Sequence, residues 1–176
     1  MIYKNLYKTI ASKIQKVFLG NEASSATQPA GIFNGVTATN ISSYEELCDA
    51  EAKVDDSNVG LDGLKYIMSN KAKAVVRGMI RGTNNTGMVW EHNEIDGAPV
   101  LANSDIAGQG YAFGDFSKIY FATFGDGVEL TIDPFTLSHL GQVRIIANMY
   151  VDWKKATDST ALRDENFIVY GNITRE

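Results

Sequence analysis

The 176-residue sequence predicts a mixed α+β fold with helices towards the front and strands through the second half. Three observations predict it. Leu6, Ile10, Ile14 and Val17 fall at i, i+4, i+8 and i+11, the spacing of one helix face. Ser43-x-x-Glu46 is a capping box ahead of Leu47, Ala50 and Val54, so a second helix starts there. Beyond Leu64, apolar residues alternate with polar ones in runs bounded by Gly, Asp and Asn, which is strand patterning.

The elements follow in order. Met1–Leu19 reads as an amphipathic helix with Lys8, Lys13 and Lys16 off its apolar stripe and Gly20-Asn21 as its C-cap. Glu22–Gly35 is loop-like. Ser43–Val54 is the second helix, with Ser43 accepting the Glu46 amide and Glu46 reaching back, and Asp55–Gly63 is a loop. Leu64–Met68 is a short strand, and Ser69-Asn70 caps a helix over Lys71–Met79. Arg81–Gly87 is a turn. Met88-Val89-Trp90 is expected to pair with Pro99–Ala102 across Asp96-Gly97, because glycine accepts the positive φ of a two-residue hairpin turn. Pro99 gives no N–H to a ladder and so fits a strand start or an edge. Gly114-Asp115-Phe116 ends the next strand. Ser117–Thr123, Gly127–Asp133, Gln142–Trp153 and Asn166–Ile173 read as four more strands. Around Ile119–Phe124 apolar residues fall on both parities, so both faces are expected to be covered. Val143, Ile145, Ala147, Met149 and Val151 give Gln142–Trp153 one apolar face.

Composition bounds the function. A hydrophobic fraction of 44% supports a real core and excludes a disordered chain. A net charge of -5 disfavours wrapping DNA by phosphate neutralisation and is ordinary for a soluble cytoplasmic domain. Cys48 is the sole cysteine, so no intrachain disulfide forms, which fits a reducing compartment. No run of about 18 apolar residues offers a membrane span, and the lysines of the first helix are too scattered for a signal peptide.

Candidate chemistry is sparse. His92 and His139 lack a third convergent ligand at metal spacing, and they read as a loop residue and a turn residue. Cys48 lies among Glu46, Asp49 and Glu51, which disfavours a thiolate. Gly108-Gln109-Gly110 and Gly125-Asp126-Gly127 match no phosphate loop and read as turns, and Asp126 and Asp133 make no calcium loop. Glu91, Glu94, Asp96 and Asp105 read as a solvated acidic turn, not the paired carboxylates of a glycosidase. Lys71, Lys73, Arg77 and Arg81 make a basic face, either exposed for solubility or pairing with acidic groups of a neighbouring subunit. No catalytic, cofactor-binding or metal residue is expected.

Several short motifs occur in a telling order. Phe18-Leu19-Gly20 precedes Pro29-Ala30-Gly31-Ile32, then Met68-Ser69-Asn70 sits between strand and helix. Gly97, Pro99 and Val100 follow, and then Gly114-Asp115-Phe116 with Tyr120 and Phe121 behind. This order resembles the C-terminal half of tailed-phage major capsid proteins of the phage capsid family, the Hong Kong 97-type fold. The resemblance covers roughly residues 3–173 and implies a spine helix on a long-stranded sheet, the peripheral domain, beside an α/β axial domain. It implies residues 1–41 as the end of the spine helix and its loop, 42–131 as mainly axial, and 132–176 as the return strands of the peripheral domain.

The resemblance implies a structural, non-enzymatic subunit of an icosahedral head shell enclosing DNA, assembled in the bacterial host cytoplasm and carried in the virion. Its implied partners are copies of itself in pentamers and hexamers, with scaffolding, portal and head-decoration proteins. Specific nucleic-acid binding, membranes and cofactors are not implied. Family members carry an N-terminal arm and an extended loop before and around the spine helix. A chain beginning inside that helix is expected to lack both, to be handicapped in closing a shell alone, and to form no autocatalytic crosslink. The competing reading is a small-ligand-binding α+β domain, or an enzyme whose site the sequence does not reveal.

Overall fold

Helix α1 (Ile2–Phe18) presents Leu6, Ile10, Ile14 and Val17 half-buried, while Lys4, Lys8, Lys13 and Lys16 are exposed. The computed structural model describes residues 2–55, 63–82, 87–155 and 167–175. Gly20 does not cap α1 in the left-handed conformation expected for it. The returning loop terminates the helix instead: the Ile32 amide donates to the Phe18 carbonyl at 2.9 Å and the Phe33 amide to the Gly20 carbonyl at 3.2 Å. Gly31 makes this approach possible, because a β-carbon there would lie 2.0 Å from the Gly20 oxygen.

Helix α2 (Tyr44–Asp55) starts on the predicted box, with one difference. The Ser43 Oγ accepts the Glu46 amide at 3.3 Å, but Glu46 reaches one residue beyond its expected partner. Its carboxylate accepts the Ser42 amide at 2.6 Å and the Ser42 hydroxyl at 2.9 Å. Leu47, Ala50 and Val54 are buried, as the pattern requires. Of the Asp55–Gly63 loop, residues 56–62 lie outside the described residues.

Strand β1 (Leu64–Met68) alternates as read, with Leu64, Tyr66 and Met68 inward. Ser69 caps α3 (Asn70–Val76) by accepting the Ala72 amide at 3.1 Å, and the helix stops three residues short of Met79. Thr83–Thr86 of the predicted turn are outside the described residues.

The predicted hairpin is replaced by a three-strand meander. Strand β2 (Trp90–Glu91) pairs with β3 (Glu94–Ile95), and β3 with β4 (Ala98–Ala102). Met88 bridges Ile80 and does not join β4. Two tight turns do this, with His92 and Asn93 at φ 48° and 66° in the first, and Asp96 and Gly97 at 47° and 86° in the second. The Asp96-Gly97 signal was read correctly; the His92-Asn93 turn lacked a glycine and went unread.

Strand β5 (Gly110–Asp115) and β8 (Ile168–Asn172) complete a six-stranded sheet of order β2-β3-β4-β1-β5-β8. β1 runs parallel to β4 through the α3 crossover and antiparallel to β5. Every residue of β5 is buried, as a central strand covered on both faces must be. Gly114 at its end has φ 152°, and a β-carbon there would meet the Phe167 oxygen at 2.1 Å. Asp115 then accepts the Ser117 amide at 3.0 Å and the Ser117 hydroxyl at 2.6 Å, setting the turn after the strand.

The remaining long strands form a separate two-stranded ribbon. The segments Ser117–Thr123 and Gly127–Asp133 are one strand, β6 (Ile119–Asp133), paired with β7 (Arg144–Lys155). Gly125-Asp126-Gly127, read as a turn, is a bulge within it. Neither face of Tyr120–Phe124 is fully covered: Tyr120, Phe121 and Phe124 are exposed, contrary to expectation. The reason is that β6 has one neighbouring strand and no second sheet above it among the described residues.

Gly114→Ala should lower stability by about 3 kcal/mol or more, read as a reduced urea midpoint, because it combines an unfavourable φ with a backbone clash. A second prediction concerns Glu46. Hydrogen bonds from Ser42 and then Ser43 hold its carboxyl below its ordinary value of 4.5. A depressed carboxylate stabilises above its unfolded pKa and loses that contribution as pH falls through the folded one. Glu46→Gln should therefore be less stable than the parent at pH 7, with the gap closing below pH 4.5 in parallel urea titrations.

Candidate functional site

The ribbon places its side chains by parity. Before the bulge, Ile119, Phe121 and Thr123 share a face with Lys155, Trp153 and Val151, their cross-strand partners. After it, Val128, Leu130 and Ile132 pair with Met149, Ala147 and Ile145. The apolar residues of β6 thus switch from odd to even numbers along the strand. Four steps on β6, from Phe124 to Val128, oppose one step on β7, from Tyr150 to Met149. The three extra residues turn Val128, Leu130 and Ile132 onto the face that β7 makes apolar. Gly125 and Gly127, at φ 76° and 94°, allow that path. The result is one apolar stripe running the length of the ribbon, with Tyr120, Phe124 and Tyr150 on the opposite face.

Trp153 anchors the near end. It is 9% exposed, lies edge-on to Phe18 at 5.3 Å and stacks on Phe121 at 5.9 Å. Its Nε1 donates to the Ala30 carbonyl at 2.7 Å. One side chain therefore joins the ribbon, the end of α1 and the returning loop.

The far end is a built turn. Asp133 accepts the amides of Phe135 at 3.0 Å and Thr136 at 3.1 Å, as well as the Thr136 hydroxyl. These bonds, the Thr136 hydroxyl first, hold its carboxyl below the usual range. Ser138 donates to the Phe135 carbonyl at 2.8 Å. On this fixed turn Phe135 is 83% exposed, and Ile132, Leu140 and Val143 are exposed beside it.

The residues singled out in the sequence do not converge. His92 lies in the first meander turn and His139 in the turn at the ribbon tip, and both are exposed. Cys48 is half-buried beside Tyr44; burial pushes its thiol up, and Tyr44 is pushed up to about 12, first by its hydrogen bond to Cys48. A thiol so raised is a poor nucleophile at neutral pH. The acidic residues are dispersed: Glu91 and Glu94 are exposed, Asp96 pairs with Arg81 at 2.8 Å, and Asp105 accepts the Ser12 hydroxyl at 3.0 Å. The basic face is partly spent within the chain. Arg81 holds Asp96, and Lys73 lies 5.0 Å over the Trp90 ring, so Lys71 and Arg77 are left as its exposed members. Among the described residues no three metal-ligating side chains cluster, and no helix is long and apolar enough to cross a membrane.

No family model matches the sequence. It is 25% identical over 114 residues to the major capsid protein of Halomonas phage phiHAP-1, covering 62% of this chain and 19% of that protein. The fold is similar to the capsid of the native GTA particle, with a TM-score of 0.66 and 17% identity over 98% of this chain and 64% of that one. A structure from Gordonia phage Cozz aligns with a TM-score of 0.63 and 15% identity over 99% of this chain and 63% of that one. The chain has the Hong Kong 97-type capsid fold. It spans less than two thirds of the length of these capsid-fold chains and about a fifth of the curated relative.

The loop that follows α1 closes the last carbonyls of that helix with the amides of Ile32 and Phe33. Two features were missed from sequence. Trp153 reads from sequence as one more strand residue, Val143 as part of a strand face, and the tip residues Phe135 and Leu140 carry no local signal. The available signal was the change of apolar parity between Thr123 and Val128, which requires an irregular strand.

Trp153→Ala should cost about 3–5 kcal/mol in urea unfolding, the range for deleting a buried aromatic. Trp153→Phe, which keeps a ring but loses the donor to Ala30, should cost about 1 kcal/mol.

Proposed function

We propose that this chain is a subunit, or the core of one, of a phage or prophage major capsid protein that self-assembles into an icosahedral head shell enclosing DNA. Its partners are then copies of itself in pentamers and hexamers, with scaffolding, portal and decoration proteins meeting the shell. Its place is the virion, after assembly in the host cytoplasm. The fold and the match to the Halomonas phage capsid protein support this reading. The observation that carries it is the ribbon. A chain that elsewhere buries a full core leaves Tyr120, Phe124, Ile132, Phe135 and Tyr150 exposed on a stiff two-stranded arm. Tyr120, Phe124 and Tyr150 lie on one face of the ribbon, and Ile132 lies on the other, with Phe135 in the turn beyond it, so each side offers apolar surface to a neighbour.

The topology supports a partition in which α1 and the ribbon form the peripheral part, and α2, α3 and the six-stranded sheet form the axial part. On this reading the peripheral ribbon takes in β6 from Ile119 as well as the residues from 132 onwards, and β8, which pairs with β5, goes with the axial part. Repetition of one patch around five-fold and six-fold axes would close a shell from many modest contacts.

Electron microscopy and light scattering of the purified chain across a concentration series test the proposal. Rings, sheets or shells are the expected result. The Phe135→Ser, Val143→Ser double variant should lose them while its urea midpoint stays close to the parent, because both side chains are exposed. A chain that remains monomeric at every concentration would remove this function.

A further inference from the structure

The charge of this chain is segregated. Helix α1 carries four of its sixteen basic residues, Lys4, Lys8, Lys13 and Lys16, and none of its twenty-one acidic ones. All four lysines are exposed, but Lys4 lies nine residues and half a turn in azimuth from Lys13, and of the apolar stripe Ile14 and Val17 pack on the core. Lys8, Lys13 and Lys16, with Thr9 and Ser12 between them, line a shallow trough of about 450 Å³. The whole chain carries a net charge of -5, so the unbroken run of cations on α1 is a local exception to its overall sign.

We propose that the lysine face of α1 is a sequence-independent contact for the phosphate backbone of duplex DNA. The inference rests on the capsid reading, and it turns that face of α1 towards the interior of the shell. The chemistry fits. Lysine is a flexible point charge suited to phosphate, and phosphate contacts carry no sequence information directly. At a rise of about 1.5 Å per residue Lys8, Lys13 and Lys16 stand about 7.5 and 4.5 Å apart along the axis, over duplex charges spaced more closely than that, so no fixed register is needed. Three contacts per subunit give weak binding to one copy, and repetition over a shell multiplies it without wrapping the DNA. One carboxylate borders the trough: Asp105 accepts the Ser12 hydroxyl at 3.0 Å and would oppose an incoming phosphate.

The test is fluorescence anisotropy of labelled random-sequence 25-base-pair duplexes with the full chain from 25 to 200 mM NaCl. The parent should bind unrelated duplexes equally, with log K falling against log salt at a slope of about -2.5 to -3 for three contacts. Lys8→Gln, Lys13→Gln, Lys16→Gln together should bring the slope close to zero and weaken binding at 25 mM at least tenfold, whereas Asp105→Asn should strengthen it. No binding at 25 mM, a slope unchanged in the triple variant, a strong preference for one sequence, weaker binding by Asp105→Asn, or tighter binding to single-stranded RNA or to phosphatidylserine vesicles would each overturn the proposal. Microscopy of the same samples separates the two readings. Particles that form without lysine-dependent duplex binding sink this inference alone, and lysine-dependent binding by a chain that never assembles sinks the capsid reading instead.

Discussion

The contact between Trp153, Phe18 and the Ala30 carbonyl governs how the long arm of this molecule is held. Strands β6 and β7 pair only with each other among the described residues, and an isolated two-stranded ribbon is marginal in water. Such a ribbon keeps a defined direction only if one end is fixed. Trp153 supplies that end through two aromatic contacts and one hydrogen bond to a loop carbonyl. The loop is itself held because its Ile32 and Phe33 amides satisfy the last carbonyls of α1. Helix termination, loop position and ribbon direction are therefore one coupled arrangement, and the Gly31 approach to Gly20 is its tightest steric requirement.

The bulge decides what the arm presents. A regular β6 would place Val128, Leu130 and Ile132 on the face opposite Trp153, and the apolar surface would be split between the two sides. Three added residues gather them with Ile145, Ala147 and Met149 into one stripe, and the Asp133 turn fixes Phe135 beyond its end. Exposed apolar surface of this kind is a liability in a monomer and an asset in a molecule that repeats itself. The core of the six-stranded sheet does not share this character: Tyr66, Tyr111 and Ile95 are almost wholly buried.

Charge is handled differently in the two regions. The meander uses its charges locally, with Arg81 on Asp96 and Lys73 over Trp90, contacts worth roughly 1 kcal/mol or less each at partly exposed positions. Helix α1 uses none of its four lysines in an ion pair or ring contact among the described residues.

Much of this molecule was determined by local sequence. The helix stripe of Leu6 to Val17, the Ser43 box, the Ser69 cap and the Asp96-Gly97 turn each depend on residues within one turn or one hairpin of one another, so pattern alone revealed them. The ordered motifs from Phe18 to Phe121 also pointed to the capsid fold, and two of their glycines sit where the backbone packs too closely for a side chain, Gly31 against Gly20 and Gly114 against Phe167. What only the tertiary structure decided depends on distant partners. The end of α1 is set by amides twelve or more residues away, Trp153 finds a carbonyl 123 residues earlier, and Arg81 and Lys73 choose partners within the chain over a neighbour. The bulge that joins two predicted strands into one depends on which face β7 offers, and that face exists only after the strands have paired. Local chemistry fixes elements; long-range pairing fixes which of their surfaces remain free.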